Sequence, residues 1–327
     1  MNRGVALKLG GFTGALLLAF GGAFALGGSV DPVADAAPTA APHGEASAPH
    51  SEPEPTGAAH GEGHSETGGG TGQPPGLAIS EAGYTLVPAQ SSFAAAGPTN
   101  FRFKITGPDG KPLTSYQVTH EKDLHLIVVR RDLAGFKHVH PARAADGTWS
   151  IPFDFTAGGT WRVFADFAPA ALGRTITLGS DITVAGPFKP VPLPRATAST
   201  NVEGYDVTLA GNPVAGRESE LTFTVKRNGA TVTDLEPYLG AFGHLVSLRS
   251  GDLAYLHNHP TQEAVAGSKG GPEIKFGTTF PTDGIYRLYL DFKHGGVVRT
   301  AEFTVTIGAS GNHPVPLPTD ATTPHGH

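Results

Sequence analysis

The stretch Gly159-Thr-Trp-Arg-Val-Phe-Ala-Asp-Phe167 recurs later in the chain as Gly284-Ile-Tyr-Arg-Leu-Tyr-Leu-Asp-Phe292. Apolar and polar residues alternate in both, the pattern of a strand with one face on a core. Similar alternation marks Phe101–Ile105, Trp149–Phe153 and Leu221–Val225. Turn signals separate these runs: Pro108-Asp-Gly110, Asp146-Gly147, Arg227-Asn-Gly229 and Asp283-Gly284. No window after the amino terminus sustains a helical period, so the chain reads as all-β.

The repetition extends upstream. His125-Leu-Ile-Val-Val-Arg-Arg-Asp-Leu-Ala-Gly-Phe-Lys-His138-Val-His140-Pro141 lies over His244-Leu-Val-Ser-Leu-Arg-Ser-Gly-Asp-Leu-Ala-Tyr-Leu-His257-Asn-His259-Pro260. The interval from the first His to the second is 13 residues in each copy, and an H-x-H-P comes next. The interval from His-Pro to the matched Asp166 or Asp291 is longer by six in the second copy, with the insertion around Gly267–Pro272. Comparison within one chain therefore gives two tandem antiparallel sandwiches, at 77–186 and 201–308. A proline-laced connector, 187–200, joins them and is expected to be fairly stiff.

The 327 residues contain 15 His, no Cys and one Met, at position 1. Without Cys, disulfides, Fe–S clusters, Cys-based zinc fingers, a Cys nucleophile and blue-copper electron transfer are excluded. Without an internal Met, a thioether site for Cu(I) is excluded too. A formal charge of −6 gives no basic footprint for nucleic acid. Neither a nucleophile elbow, a Walker loop, a Rossmann fingerprint nor an H-E-x-x-H helix appears, and the expectation is a binding module and not an enzyme.

Residues i and i+2 of a strand share a face, so both imidazoles of an H-x-H can lean toward one ion. His125 or His244 opens an apolar strand, and a hairpin brings H-x-H back beside it, which supplies three imidazoles from two neighbouring strands. Asp166 or Asp291, at the end of a third strand, is a candidate fourth ligand or an acceptor that orients an imidazole. Nitrogen ligands with an added oxygen suit Cu(II) or Zn(II). The copies differ in their fourth His: His120 aligns with Leu239, whereas His294 stands only in the second copy. The candidate metal ligands are thus His120, His125, His138, His140, Asp166, His244, His257, His259, Asp291 and His294. If the copies mate face to face, a shared site becomes available. Two other readings stay open: a structural or adhesive envelope module whose His and Asp tie strands together, and a pH-sensitive interaction module.

Residues 1–30 carry Arg3 and Lys8 ahead of an uncharged run from Leu9 to Val30, long enough to cross a bilayer once. The positive-inside rule exports the chain beyond Asp31, either on a retained anchor in the cell membrane or after cleavage near Ala23-Phe-Ala25. Segment 31–76 is a Pro-, Gly- and Ser-rich spacer with His43, His50, His60 and His64, and the tail 309–327 adds His313, His325 and His327. Both are expected to be disordered and able to collect metal loosely.

The phrases HEKDLHLIVVRRDLAGFKHVHP, EPYLGAFGHLVSLRSGDLAYLHNHP and FPTDGIYRLYLDF resemble a group of exported actinobacterial His-rich proteins often described as heavy-metal-binding or copper-associated. The resemblance covers roughly Leu77 to Ile307. It implies an extracytoplasmic immunoglobulin-like or cupredoxin-like sandwich and a metal role for His120, His125, His138, His140, His244, His257 and His259. The lack of Cys and internal Met departs from electron-transfer cupredoxins.

Overall fold

A computed structural model describes residues 73–308, apart from the side chains of His257 and His259. The anchor or signal segment 1–30, most of the spacer 31–76 and the tail 309–327 lie outside the described residues. Among the described residues there is no helix, and none long and apolar enough to cross a membrane.

Repeat 1 consists of β1 (Ser80–Glu81), β2 (Tyr84–Pro88), β3 (Ser92–Phe93), β4 (Gly97–Thr106), β5 (Tyr116–Gln117), β6 (His125–Arg130), β7 (Lys137–Val139), β8 (Ala142–Arg143), β9 (Thr148–Phe155), β10 (Gly159–Pro169) and β11 (Ile176–Val184). One sheet runs β1-β2-β4-β9-β8 and the other β3-β11-β10-β6-β7, with β5 joined to β10. β3 pairs in parallel with β11 while β2 pairs antiparallel with β4, so the opening segment is split between the sheets. This is the strand arrangement of an immunoglobulin-like sandwich. Phe101, Phe103 and Trp149 from one sheet meet Trp161, Val163 and Leu178 from the other in a buried core.

Repeat 2 consists of β12 (Ser199–Val202), β13 (Tyr205–Ala210), β14 (Glu218–Arg227), β15 (Ala230–Thr231), β16 (Gly243–Arg249), β17 (Tyr255–Pro260), β18 (Glu273–Thr279), β19 (Gly284–His294) and β20 (Val297–Ile307). Its strand order, β12-β13-β14-β18-β17-β16-β19-β20, repeats that of the first copy in one continuous ladder. The two sheets become continuous because β17 pairs with β16 along one part and with β18 at His259 and Pro260. Its own core gathers Phe223, Phe276, Leu288 and Phe303.

The feature that positions the candidate site is a third apolar cluster contributed by both repeats. In β6 every residue from His125 to Arg130 is buried, and in β16 every residue from Gly243 to Leu248. A strand buried on both faces needs cover beyond its own sandwich. Ile127, Val129, Phe136 and Phe164 of repeat 1 pack against Val246, Leu248, Tyr255 and Tyr289 of repeat 2. Phe136 and Tyr289 stack at 3.9 Å and 7°, and the Tyr289 hydroxyl donates to the Leu133 carbonyl at 2.7 Å. The two copies therefore mate face to face through their β6–β10 and β16–β19 surfaces.

Candidate metal centre

His125 opens β6, and β7 returns antiparallel with Leu126 opposite Val139 and Ile127 opposite His138. β10 flanks β6 on its other side, with Asp166 opposite His125. Three ring nitrogens, one each from His125, His138 and His140, lie within 4.8 Å of one another. His125 Nδ1 is 3.0 Å from His138 Nε2 and 3.1 Å from His140 Nε2. Two nitrogens bound to one tetrahedral ion at about 2.0–2.1 Å stand about 3.3 Å apart. The cluster is therefore already near the size of a coordination sphere.

His125 Nε2 lies 3.0 Å from the Thr119 carbonyl, which only accepts, so Nε2 carries the hydrogen. His138 Nδ1 lies 2.9 Å from Asp291 Oδ2 and donates to that carboxylate. In their neutral forms both rings then turn a lone pair inward, and these lone pairs face each other at 3.0 Å. A proton or a metal ion between the two nitrogens relieves this contact, and His140 Nε2, 3.1 Å from His125 Nδ1, is a further group able to supply that proton. Outer nitrogens tied to a carbonyl and to a carboxylate are also the arrangement that fixes tautomer and ring orientation in metal-ligating histidines.

The carboxylate that serves repeat 1 comes from repeat 2. Asp291 accepts from His138 of the other copy and, at 2.6 Å, from the Thr300 hydroxyl on its own neighbouring strand. Asp166 in turn accepts from the Thr177 hydroxyl at 2.8 Å and from Tyr255 of repeat 2 at 3.4 Å. Both carboxylates thus reach across the interface. Asp291 binds His138 on the nitrogen remote from the cluster, so it orients a ring and does not itself face the three inward nitrogens.

Burial favours the neutral form of His140. His125 is 1% exposed and the His138 side chain 2%. The His140 imidazole is pushed down to about 3, mainly by burial and then by the neighbouring His138 and Lys122. A ring that stays unprotonated at neutral pH presents its lone pair without first losing a proton.

Repeat 2 shows the same backbone frame. His244, the second residue of β16, lies opposite Asp291, Leu245 faces Asn258 and Val246 faces His257, the same pairings as in repeat 1. His244 Nε2 donates to the Tyr238 carbonyl at 2.8 Å, as His125 does to Thr119. The chain matches, over 80–186 and again over 200–309, the family described as Domain of unknown function (DUF8832). Those two segments make up about two thirds of the sequence. The chain belongs to that family.

The first DUF8832 copy also brings His120 to the centre: its ring lies 6.1 Å from that of His125 and 5.3 Å from that of His244, outside the three-nitrogen group. His294 of the second copy is engaged elsewhere, with Nδ1 2.6 Å from the Tyr205 hydroxyl and Nε2 2.9 Å from Asp234. Sequence reasoning missed the carbonyls of Thr119 and Tyr238, the hydroxyls of Thr177 and Thr300, and the crossing of the carboxylates. The unbroken apolar run Leu126–Val129 carries the signal for a second buried face, because a half-covered strand alternates.

Among solved structures, the chain is similar to the Escherichia coli adhesin FdeC (17% identity, 70% of this chain and 65% of that one, TM-score 0.24). It is also similar to Yersinia pseudotuberculosis InvD (14%, 70% and 58%, TM-score 0.23) and to bovine butyrophilin (9%, 68% and 98%, TM-score 0.19). The chain spans less than two thirds of the two bacterial proteins. At these scores the likenesses carry no argument about arrangement or function. No match to a curated protein was found.

Proposed function

We propose that this chain is an extracytoplasmic, non-enzymatic protein that binds a divalent transition metal, Cu(II) or Zn(II), for sequestration, delivery or sensing. His125, His138 and His140 are the ligands in repeat 1, and His244, His257 and His259 hold the corresponding backbone positions in repeat 2. One observation carries the reading: His125 Nδ1 and His138 Nε2 stand 3.0 Å apart while the outer nitrogens of the two rings are held by Thr119 and Asp291. Nitrogen ligands without sulfur favour Cu(II) and Zn(II) over Cu(I). The placement outside the membrane rests on the charged and apolar pattern of residues 1–30.

Calorimetric titration of the full chain with Zn(II) and with Cu(II) tests the reading, against a variant with His125, His138 and His140 all replaced by Ala. Both proteins keep the His-bearing tails and the repeat 2 histidines, so binding there cancels. One more tight equivalent is expected in the unaltered chain than in the variant. Equal titrations overturn the reading and leave a proton between the rings of the cluster.

A further inference from the structure

The buried cluster has an asymmetric approach. Thr119 and Lys122 close a tight two-residue turn through reciprocal backbone hydrogen bonds, and Tyr238 and Ala241 close its counterpart in repeat 2. Both residues at each tip have positive φ: 47° and 63° at His120 and Glu121, 55° and 77° at Leu239 and Gly240. Turns of this kind favour Asn and Gly, and repeat 2 supplies one Gly whereas repeat 1 supplies none. The two tips meet in an open cleft of about 400 Å³, which His120, Glu121 and Glu263 line together with Leu239 and Gly240.

We propose that His120 is an exchange ligand, which takes a divalent transition cation from this cleft and passes it to the buried imidazoles. The inference rests on the metal-binding reading above and adds the route by which the ion enters and leaves. Three observations support it. The first is access: His125 and the His138 side chain are nearly inaccessible and His140 is only partly exposed, so an outer group that strips water from a hydrated ion eases its entry. The second is spacing: ring centroids within the triad are 4.9–5.3 Å apart, and His120 stands 5.3 Å from His244 and 6.1 Å from His125. His120 thus stands at triad spacing from His244 and, at 6.1 Å against 5.3 Å, beyond the longest triad spacing from His125. The third is charge: Glu121 and Glu263 line the cleft and attract a cation, with Lys122 the opposing charge beside His140.

Stopped-flow uptake of Zn(II) or Cu(II) by the full chain, and release to a chelator, provide the test. His120→Leu installs the residue of the matching turn in repeat 2, and His120→Asn supplies a second variant suited to a left-handed backbone. Both are expected to slow uptake and release by the same factor, about tenfold, and to leave affinity unchanged. The double change Glu121→Gln and Glu263→Gln slows uptake alone, also about tenfold and most at low ionic strength. Unchanged rates in both His120 variants overturn the proposal while metal binding stands. A loss of affinity at an unchanged uptake rate overturns it too, since His120 is then a resident ligand. If the unaltered chain takes up no metal, both readings fall.

Discussion

His138 of repeat 1 donates its Nδ1 hydrogen to Asp291 of repeat 2 at 2.9 Å, across an interface that both groups help to bury. The consequence is that the orientation of a ring in one sandwich depends on a carboxylate in the other. The triad is therefore a property of the docked pair, although all three of its histidines belong to one copy.

Asp291→Asn tests that dependence. The amide is nearly the same size but no longer fixes the His138 tautomer through a charge-assisted bond. Metal affinity at the triad is expected to fall about 10–100-fold with the fold retained. Competition titration against a chromophoric chelator measures it, and an unchanged affinity contradicts the role assigned to Asp291.

His138→Ala and His140→Ala separate ligation from stability. Removing His138 strips the buried Asp291 carboxylate of a donor, and metal-free stability is expected to drop by about 1.5–3 kcal/mol. Among the described residues no hydrogen bond links His140 to a carboxylate, so its loss is expected to weaken metal binding with a smaller change in denaturant midpoint. Urea unfolding in chelator-treated buffer, read at fixed pH, distinguishes the two.

Stability without metal is expected to fall as the solution is acidified. The His140 pKa is lowered from 6.5 to about 3 in the folded chain, so between those values the unfolded state binds the extra proton. Stability then rises with pH across that window, and this contribution is complete above about 6.5. His140→Gln removes the titrating ring and flattens the slope. Unfolding free energies at intervals from pH 4 to 8 check it, and an unaltered slope in the variant rules out His140 as the source.

Metal should stabilise the fold by mass action. At a free concentration one hundred times the dissociation constant the gain is about 2.7 kcal/mol, reversed by chelation. Thermal unfolding with and without Zn(II) measures it. The gain should shrink in the triple Ala variant of His125, His138 and His140, which keeps only the repeat 2 histidines.

Phe136→Ala probes the link between interface and site. Phe136 is buried and stacked on Tyr289, and its truncation is expected to cost about 3–5 kcal/mol. The strand beginning at Lys137 leads directly into His138 and His140, so metal affinity should fall as well, in contrast to a core truncation remote from the interface such as Phe223→Ala.

Much of the fold and the triad is legible in the chain. Alternation in Trp161–Phe167 and Tyr286–Phe292 identifies strands, and the matched His spacing identifies a duplication and a three-imidazole cluster on neighbouring strands. Register comes from local chemistry: with a period of two, a hairpin that returns H-x-H beside His125 must put those side chains on one face. The absence of Cys and internal Met limits the metals by composition alone.

Tertiary structure alone decided which carboxylate meets which ring. Asp166 and Asp291 occupy matching strand positions, opposite His125 and His244, so the sequence cannot distinguish a partner in the same sandwich from one in the other. The choice is made by the apolar cluster of Ile127, Val129, Phe136, Phe164, Val246, Leu248, Tyr255 and Tyr289, which buries the outer faces of β6 and β16 and brings Asp291 to His138. The same docking brings His120 next to His244, two residues 124 positions apart. Strand, register and ligand type are local or nearest-neighbour properties and can be read from sequence. The pairing of one copy with the other depends on shape and burial over a whole surface, which no short pattern encodes.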